Sequence, residues 1–190
     1  MTDTNNTVEI PFLPVMAGII IIWLIIRAAA CIVKRKFDPK CELWQLAALF
    51  TVCLVVRFTF FPTFRDGGYV QPLVFDPDRM KDYLINLEPL YYIKKLWGNK
   101  INFIINEIGN ILLFIPVGIV WPAAFPRLRA FWKTLIAGAA FSCLIEICQL
   151  PFFDRTTDID DVILNTVGCA IGYALYAIFS MAGKSIVKNS

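Results

Sequence analysis

The chain predicts an all-α fold: a polytopic transmembrane helical bundle of about five spans, with a short interfacial helix in one long outer loop. Three observations carry that expectation. Of the 190 residues 58% are apolar and the mean hydropathy is +0.64, whereas a soluble domain runs near ~45–50% apolar. The excess is concentrated in five runs, each close to the ~20 residues needed to cross a hydrocarbon core. Lys and Arg gather in alternate connections, as they do when they set orientation across a bilayer.

The spans cover residues 11–33, 43–61, 103–124, 131–150 and 162–182. The polar, acidic stretch 1–10 lacks the basic region of a secretory leader, so the first run reads as a retained span. Arg27 lies one to two turns from the end of span one and is expected to snorkel to the surface. Pro116 and Gly118 would kink span three near its middle. Span five is less hydrophobic but still long enough. It carries Gly168 and Gly172 in a G-x-x-x-G, and Gly138 with Ser142 repeats that spacing on span four. Small residues so spaced let helices approach closely, which predicts that spans four and five touch.

The connection 62–100 is too long for a simple turn. Within it residues 89–97 read as a short helix, with Pro89 at its first position and Gly98 at its stop. Leu90, Ile93 and Trp97 share a face, and Tyr91 and Tyr92 suit a membrane interface. The organisation expected is residues 1–100 as two spans plus this extracytoplasmic loop, and 101–190 as a three-span region, all in one integrated bundle.

Orientation follows from the basic residues. Lys34, Arg35, Lys36 and Lys40 follow span one, Arg127, Arg129 and Lys133 follow span three, and Lys184 and Lys188 close the chain. The opposite side has only Arg155 in its short connection, and its long loop mixes basic with acidic residues. The N-terminus is therefore expected outside the cell and the C-terminus in the cytoplasm.

Composition also excludes chemistry. There is no His, which removes Ser-His-Asp and Cys-His catalysis and His metal ligands. The six Cys show no C-x-x-C spacing and read as small buried hydrophobes rather than a disulfide framework. A net charge of +3 does not point to nucleic acid, and no such partner is expected.

The polar residues that remain cluster at one end of the spans. Asn102, Asn106 and Asn110 follow one another at i, i+4 on span three, with Glu107 and Gly109 nearby. Ser142, Glu146 and Gln149 line one face of span four, and Arg57 sits one turn from the matching end of span two. The densest segment is Arg155-Thr156-Thr157-Asp158-Ile159-Asp160-Asp161, with Asn165 one turn beyond Asp161. An acidic residue at a helix N-terminus is accounted for by capping and the dipole. Asp158 fills that role, which leaves Asp160 and Asp161 for other work. Ionisable groups at membrane depth are costly and are generally paired or functional. Arg57, Asn106, Asn110, Glu146, Gln149, Arg155, Asp158, Asp161 and Asn165 are therefore candidate substrate-binding residues, and Glu146, Asp160 and Asp161 candidate catalytic carboxylates. Asp158, Asp160 and Asp161 are hard oxygen ligands that could hold a divalent cation, although no cofactor is evident. The same groups could equally be interhelical glue, with Arg57 or Arg155 paired to Glu146.

Three segments together resemble the VanZ-like family. They are Asn110-Ile-Leu-Leu-Phe-Ile-Pro-Val-Gly118, Ser142-x-x-x-Glu146-x-x-Gln149, and Arg155-Thr-Thr-Asp158-Ile-Asp160-Asp161 followed by Asn165-x-x-Gly168-x-x-x-Gly172. The likeness covers about residues 103–182. It implies a bacterial plasma-membrane protein of the cell envelope. The family takes its name from an accessory protein of glycopeptide-resistance clusters that gives low-level resistance to teicoplanin. The long loop 62–100 departs from the compact family pattern.

Two functions of different class follow. In one, the polar site and the interfacial helix bind a membrane lipid, a lipid-linked wall precursor or a lipoglycopeptide drug, without turnover. In the other, an intramembrane enzyme acts on a lipid phosphate or lipid-linked glycan, with Arg57 and Arg155 gripping phosphate and the carboxylates serving as general base or metal ligands. A carrier is disfavoured, because no inverted repeat is visible and the polar groups line no path across the bilayer.

Overall fold

The computed structural model describes residues 7–35, 37–61, 70–76, 85–89, 100–152, 155 and 157–188. Among them are five helices: α1 (Phe12–Lys34), α2 (Pro39–Phe60), α3 (Lys100–Ala124), α4 (Phe131–Gln149) and α5 (Ile159–Lys188). Each contains a stretch long and apolar enough to cross a membrane. The short strands are β1 (Val8–Ile10), β2 (Leu73–Phe75), β3 (Ile85–Asn86) and β4 (Thr157–Asp158). The interfacial helix expected over 89–97 lies outside the described residues beyond Pro89. The chain forms two compact bodies. One is Met1–Ile85 with Ile145–Thr157, and the other is Asn86–Leu144 with Asp158–Ser190.

In the first body α1 has no buried residue. Ile20, Ile21, Ile22, Leu24, Ile25 and Ile26 are exposed, as suits a helix solvated by acyl chains over most of its surface. It ends on Arg35, a non-glycine residue at φ 48° whose backbone N–H donates to the Ile32 carbonyl at 3.2 Å. The chain reverses between α1 and α2, and α2 starts sharply. Pro39 takes its first turn, and the Asp38 carboxylate accepts from the N–H groups of Lys40 (3.0 Å) and Cys41 (3.4 Å). These caps start α2 four residues before the apolar run, because a cap needs a polar residue and hydropathy locates only the apolar stretch.

The reversal corrects one expectation. Arg27 does not snorkel alone; its Nε donates to Glu42 Oε2 at 3.1 Å and its Nη2 to Oε1. Glu42 lies in the first turn of α2, so a tight hairpin brings a carboxylate to the guanidinium in the bidentate fork that arginine favours. In the same body β1 pairs antiparallel with β2, Val8 opposite Phe75 and Ile10 opposite Leu73. Phe152 bridges to Phe75 and packs its ring edge-on to Phe60 and Phe75 at 6.1 and 6.2 Å.

The second body is held by α3 against α5. A methyl group on Gly168 would lie 2.2 Å from the Ile111 carbonyl oxygen, and one on Gly172 would lie 2.1 Å from that of Ile115. Gly118 faces back, its missing Cβ 2.1 Å from the Cys169 carbonyl oxygen. Only glycine permits backbones this close. The G-x-x-x-G of span five thus packs on span three. Spans four and five do meet, through Gly138 beside the Cys169 side chain and through an Asn165–Ser142 hydrogen bond. The spacing signals a close approach without naming the partner. α3 runs on through Pro116 and Pro122, and Phe114, Trp121 and Phe141 stack at 5.3–5.8 Å. The connection from α3 to α4 is tied by the Tyr173 hydroxyl, which donates to the Arg129 carbonyl at 2.7 Å.

Candidate functional site

The predicted site residues fall into two groups, one in each body. In the first body they gather at the C-terminus of α2. The last carbonyls of a helix have no partner within it. Here Gln149 Nε2 donates to the Thr59 carbonyl at 2.9 Å, Arg155 Nη2 to that of Phe60 at 3.0 Å, and Arg57 Nη1 to that of Phe61. The Arg57 guanidinium also lies over the Phe12 ring, 5.3 Å from its centroid. Two cations at the negative end of a helix dipole are favourably placed. Glu146 is buried, 4% exposed, and its carbonyl accepts from the Thr157 hydroxyl at 3.1 Å. Gln149, Arg155 and Arg57 close the end of α2, a role that accounts for these three without a ligand.

The second body holds the acidic group. Asp158 caps α5, its Oδ1 accepting from the Asp160 N–H at 2.9 Å. This cap is why α5 begins at Ile159, ahead of the apolar run: Asp160 and Asp161 occupy its first turn, where the dipole favours them. The same Asp158 oxygen accepts from Asn86 Nδ2 at 3.1 Å. Burial pushes the Asp158 carboxyl above the usual carboxylate range; the two hydrogen bonds pull it back and the nearby Asp160 charge adds to the rise.

One turn deeper, Asn110 Nδ2 on α3 donates to Asp161 Oδ1 at 2.6 Å. Asn165 follows Asp161 by one turn and donates from Nδ2 to the Ser142 hydroxyl at 2.8 Å. Asp158, Asp160 and Asn165 are 6%, 2% and 2% exposed. Glu107 lies within electrostatic range of Asp158, Asp160 and Asp161. In this group Glu107 Oε2 and Asn165 Oδ1 are buried acceptors without a hydrogen-bond partner among the described residues.

The structure thus brings together Asn110, Asp158, Asp160, Asp161 and Asn165. It adds Asn86, Glu107 and Ser142, which were not among the candidates. Ser142 and Glu107 were visible as neighbours in the helical pattern. Asn86 carries no signal of its own, lying in a two-residue strand within the long loop. The side chain of Asn106 lies outside the described residues. Among the described residues no three acidic or thiol side chains form a group that could hold a metal ion.

A family model described as VanZ/LLP1 matches residues 48–180. The chain belongs to the VanZ/LLP1 family. The match reaches well ahead of residue 103. It takes in most of α2, including the end that Gln149 and Arg155 close. Protein VanZ of Enterococcus faecium is 37% identical over 71 residues, which are 37% of this chain and 44% of that protein. The chain therefore spans under half the length of this relative. No solved structure matches the VanZ/LLP1 chain. Family membership and five membrane-crossing helices together make it a multi-pass membrane protein.

Proposed function

We propose that this VanZ-family protein acts at the outer face of the bacterial plasma membrane, where it binds a lipid-linked cell-wall component or a teicoplanin-type lipoglycopeptide and so raises tolerance to the drug. The family relationship supports the envelope setting. The observation that carries the binding reading is the part-buried Asp161–Asn110 pair, set among Glu107 and the buried Asp158, Asp160 and Asn165. The partnerless atoms of this group are acceptors, so it suits a ligand that brings hydrogen-bond donors, such as an ammonium or sugar hydroxyls. Burying such a ligand there converts unmet acceptors into charge-assisted hydrogen bonds.

The alternative is an intramembrane carboxylate-dependent enzyme acting on a lipid phosphate or lipid-linked glycan. The proximity of Glu107 to Asp161 favours it, because coupled carboxylates can divide acid and base roles. Against it, the arginines expected to grip phosphate already donate to α2 carbonyls.

A teicoplanin susceptibility test in a sensitive Gram-positive host decides. It compares the parent chain with Asp161→Asn and Glu146→Gln at matched membrane levels. The expected result is tolerance with the parent and loss of it with Asp161→Asn, which keeps an oxygen for the Asn110 amide. A parent that changes nothing, or an Asp161→Asn chain that protects equally, overturns the reading. Turnover of lipid-linked wall precursor by the purified parent would establish the enzyme instead.

A further inference from the structure

The hairpin between α1 and α2 forms a half-open cavity of about 210 Å³, walled by Arg27, Cys31, Lys34, Asp38, Cys41 and Glu42 among others. Arg27, Cys31 and Lys34 follow at i, i+4 and i+7 and so share one face of α1. Two membrane-crossing helices meet here, the end of one beside the start of the next, which puts the cavity at the depth of the lipid headgroups. α1 buries no residue against the protein, so lipid reaches the cavity wall directly.

The charges of the lining sort into two kinds. Arg27 and Glu42 neutralise each other through their fork. Lys34 makes no hydrogen bond among the described residues, and Asp38 uses only Oδ1 for its cap. A ligand therefore meets one ammonium and one carboxylate of opposite sign. We propose that this cavity binds the headgroup of an aminophospholipid, its phosphate on Lys34 and its primary ammonium on Asp38. An anionic glycerol headgroup would use Lys34 alone and be opposed by Asp38. A choline headgroup carries the charge but has no N–H to donate. Drug-sized ligands fill pockets of ~300–1,000 Å³, so the cavity takes a headgroup and leaves the acyl chains beside α1.

The test is native mass spectrometry of the full chain released from micelles doped with equal amounts of phosphatidylethanolamine, phosphatidylcholine and phosphatidylglycerol. Phosphatidylethanolamine adducts are expected to exceed the other two several-fold. Lys34→Gln and Asp38→Asn should each abolish that preference; Asn caps a helix as well as Asp does, so Asp38→Asn leaves the hairpin folded. Equal adducts from all three lipids, or a preference for phosphatidylglycerol that survives Asp38→Asn, overturns the assignment. Displacement of the lipid by free phosphoethanolamine at comparable concentration would reassign the cavity to a soluble phosphate ester. None of these readouts depends on drug tolerance, so this inference and the proposed function fail separately.

Discussion

Replacing Gly172 by alanine tests the close contact between α3 and α5. The added methyl carbon would sit 2.1 Å from the Ile115 carbonyl oxygen and 2.9 Å from the Gly118 Cα. Carbon and carbonyl oxygen approach comfortably at ~3.3 Å, so the overlap is roughly 1.2 Å. Both atoms met are backbone, so no side chain can swing away and α3 and α5 must part by about an ångström. A gap of ~0.5–1 Å already forfeits a quarter to a half of each dispersion contact along the seam, and overpacking of this kind costs about 1–3 kcal/mol. For a chain of this size ~1 kcal/mol moves Tm by ~2–4 °C, which predicts that Gly172→Ala melts ~2–12 °C below a helical glycine-to-alanine change that meets no clash.

The assay is thermal unfolding of the detergent-solubilised chain. Gly109→Ala serves as control, because nothing lies within 4 Å of its added carbon. That substitution alone should show the ~1 kcal/mol that alanine gains over glycine in a helix. If Gly172→Ala melts with Gly109→Ala, at or above the parent, the close contact does not exist and the account of the second body is wrong.

Two further outcomes are expected. The Asp158 carboxyl holds its proton more tightly folded than unfolded, so its favourable contribution is complete below 3.8 and is lost as pH rises through the higher folded value; the parent should lose Tm relative to Asp158→Asn as pH is raised above 3.8, and parallel profiles would contradict the shift. Arg27→Gln and Glu42→Gln should each destabilise, while the double variant recovers part of the loss, with a coupling of about 0.5–3 kcal/mol in a double-mutant cycle; strictly additive losses would mean that the fork contributes nothing.

Much of this architecture was legible because lipid leaves the backbone few options. The five helices coincide with the apolar runs, and the Asp158 cap could be read from a lone acidic segment before span five. Partners were less legible. The glycines of span five announce a close approach, yet whether span three or four supplies it depends on the three-dimensional course of the chain. Arg27 looked like a snorkelling residue because its partner lies 15 positions away across a turn. The functional reading of Gln149 and Arg155 missed a plainer role, since open carbonyls at a helix end leave no mark on a sequence. The pairing of residues 8–10 with 73–75 was not foreseen, because strands of three residues carry too little alternation to register.

The closure of α2 has a consequence for biosynthesis. The amide and guanidinium that bond the Thr59 and Phe60 carbonyls come from residues 90 and 95 positions further along. At ~5–20 residues per second, a ribosome needs on the order of 5–20 s to make that stretch. For that time the end of α2 has no protein donor for these carbonyls, and hydrocarbon cannot supply one. The newborn span must therefore wait with its tip in water and be sealed only when the end of α4 arrives.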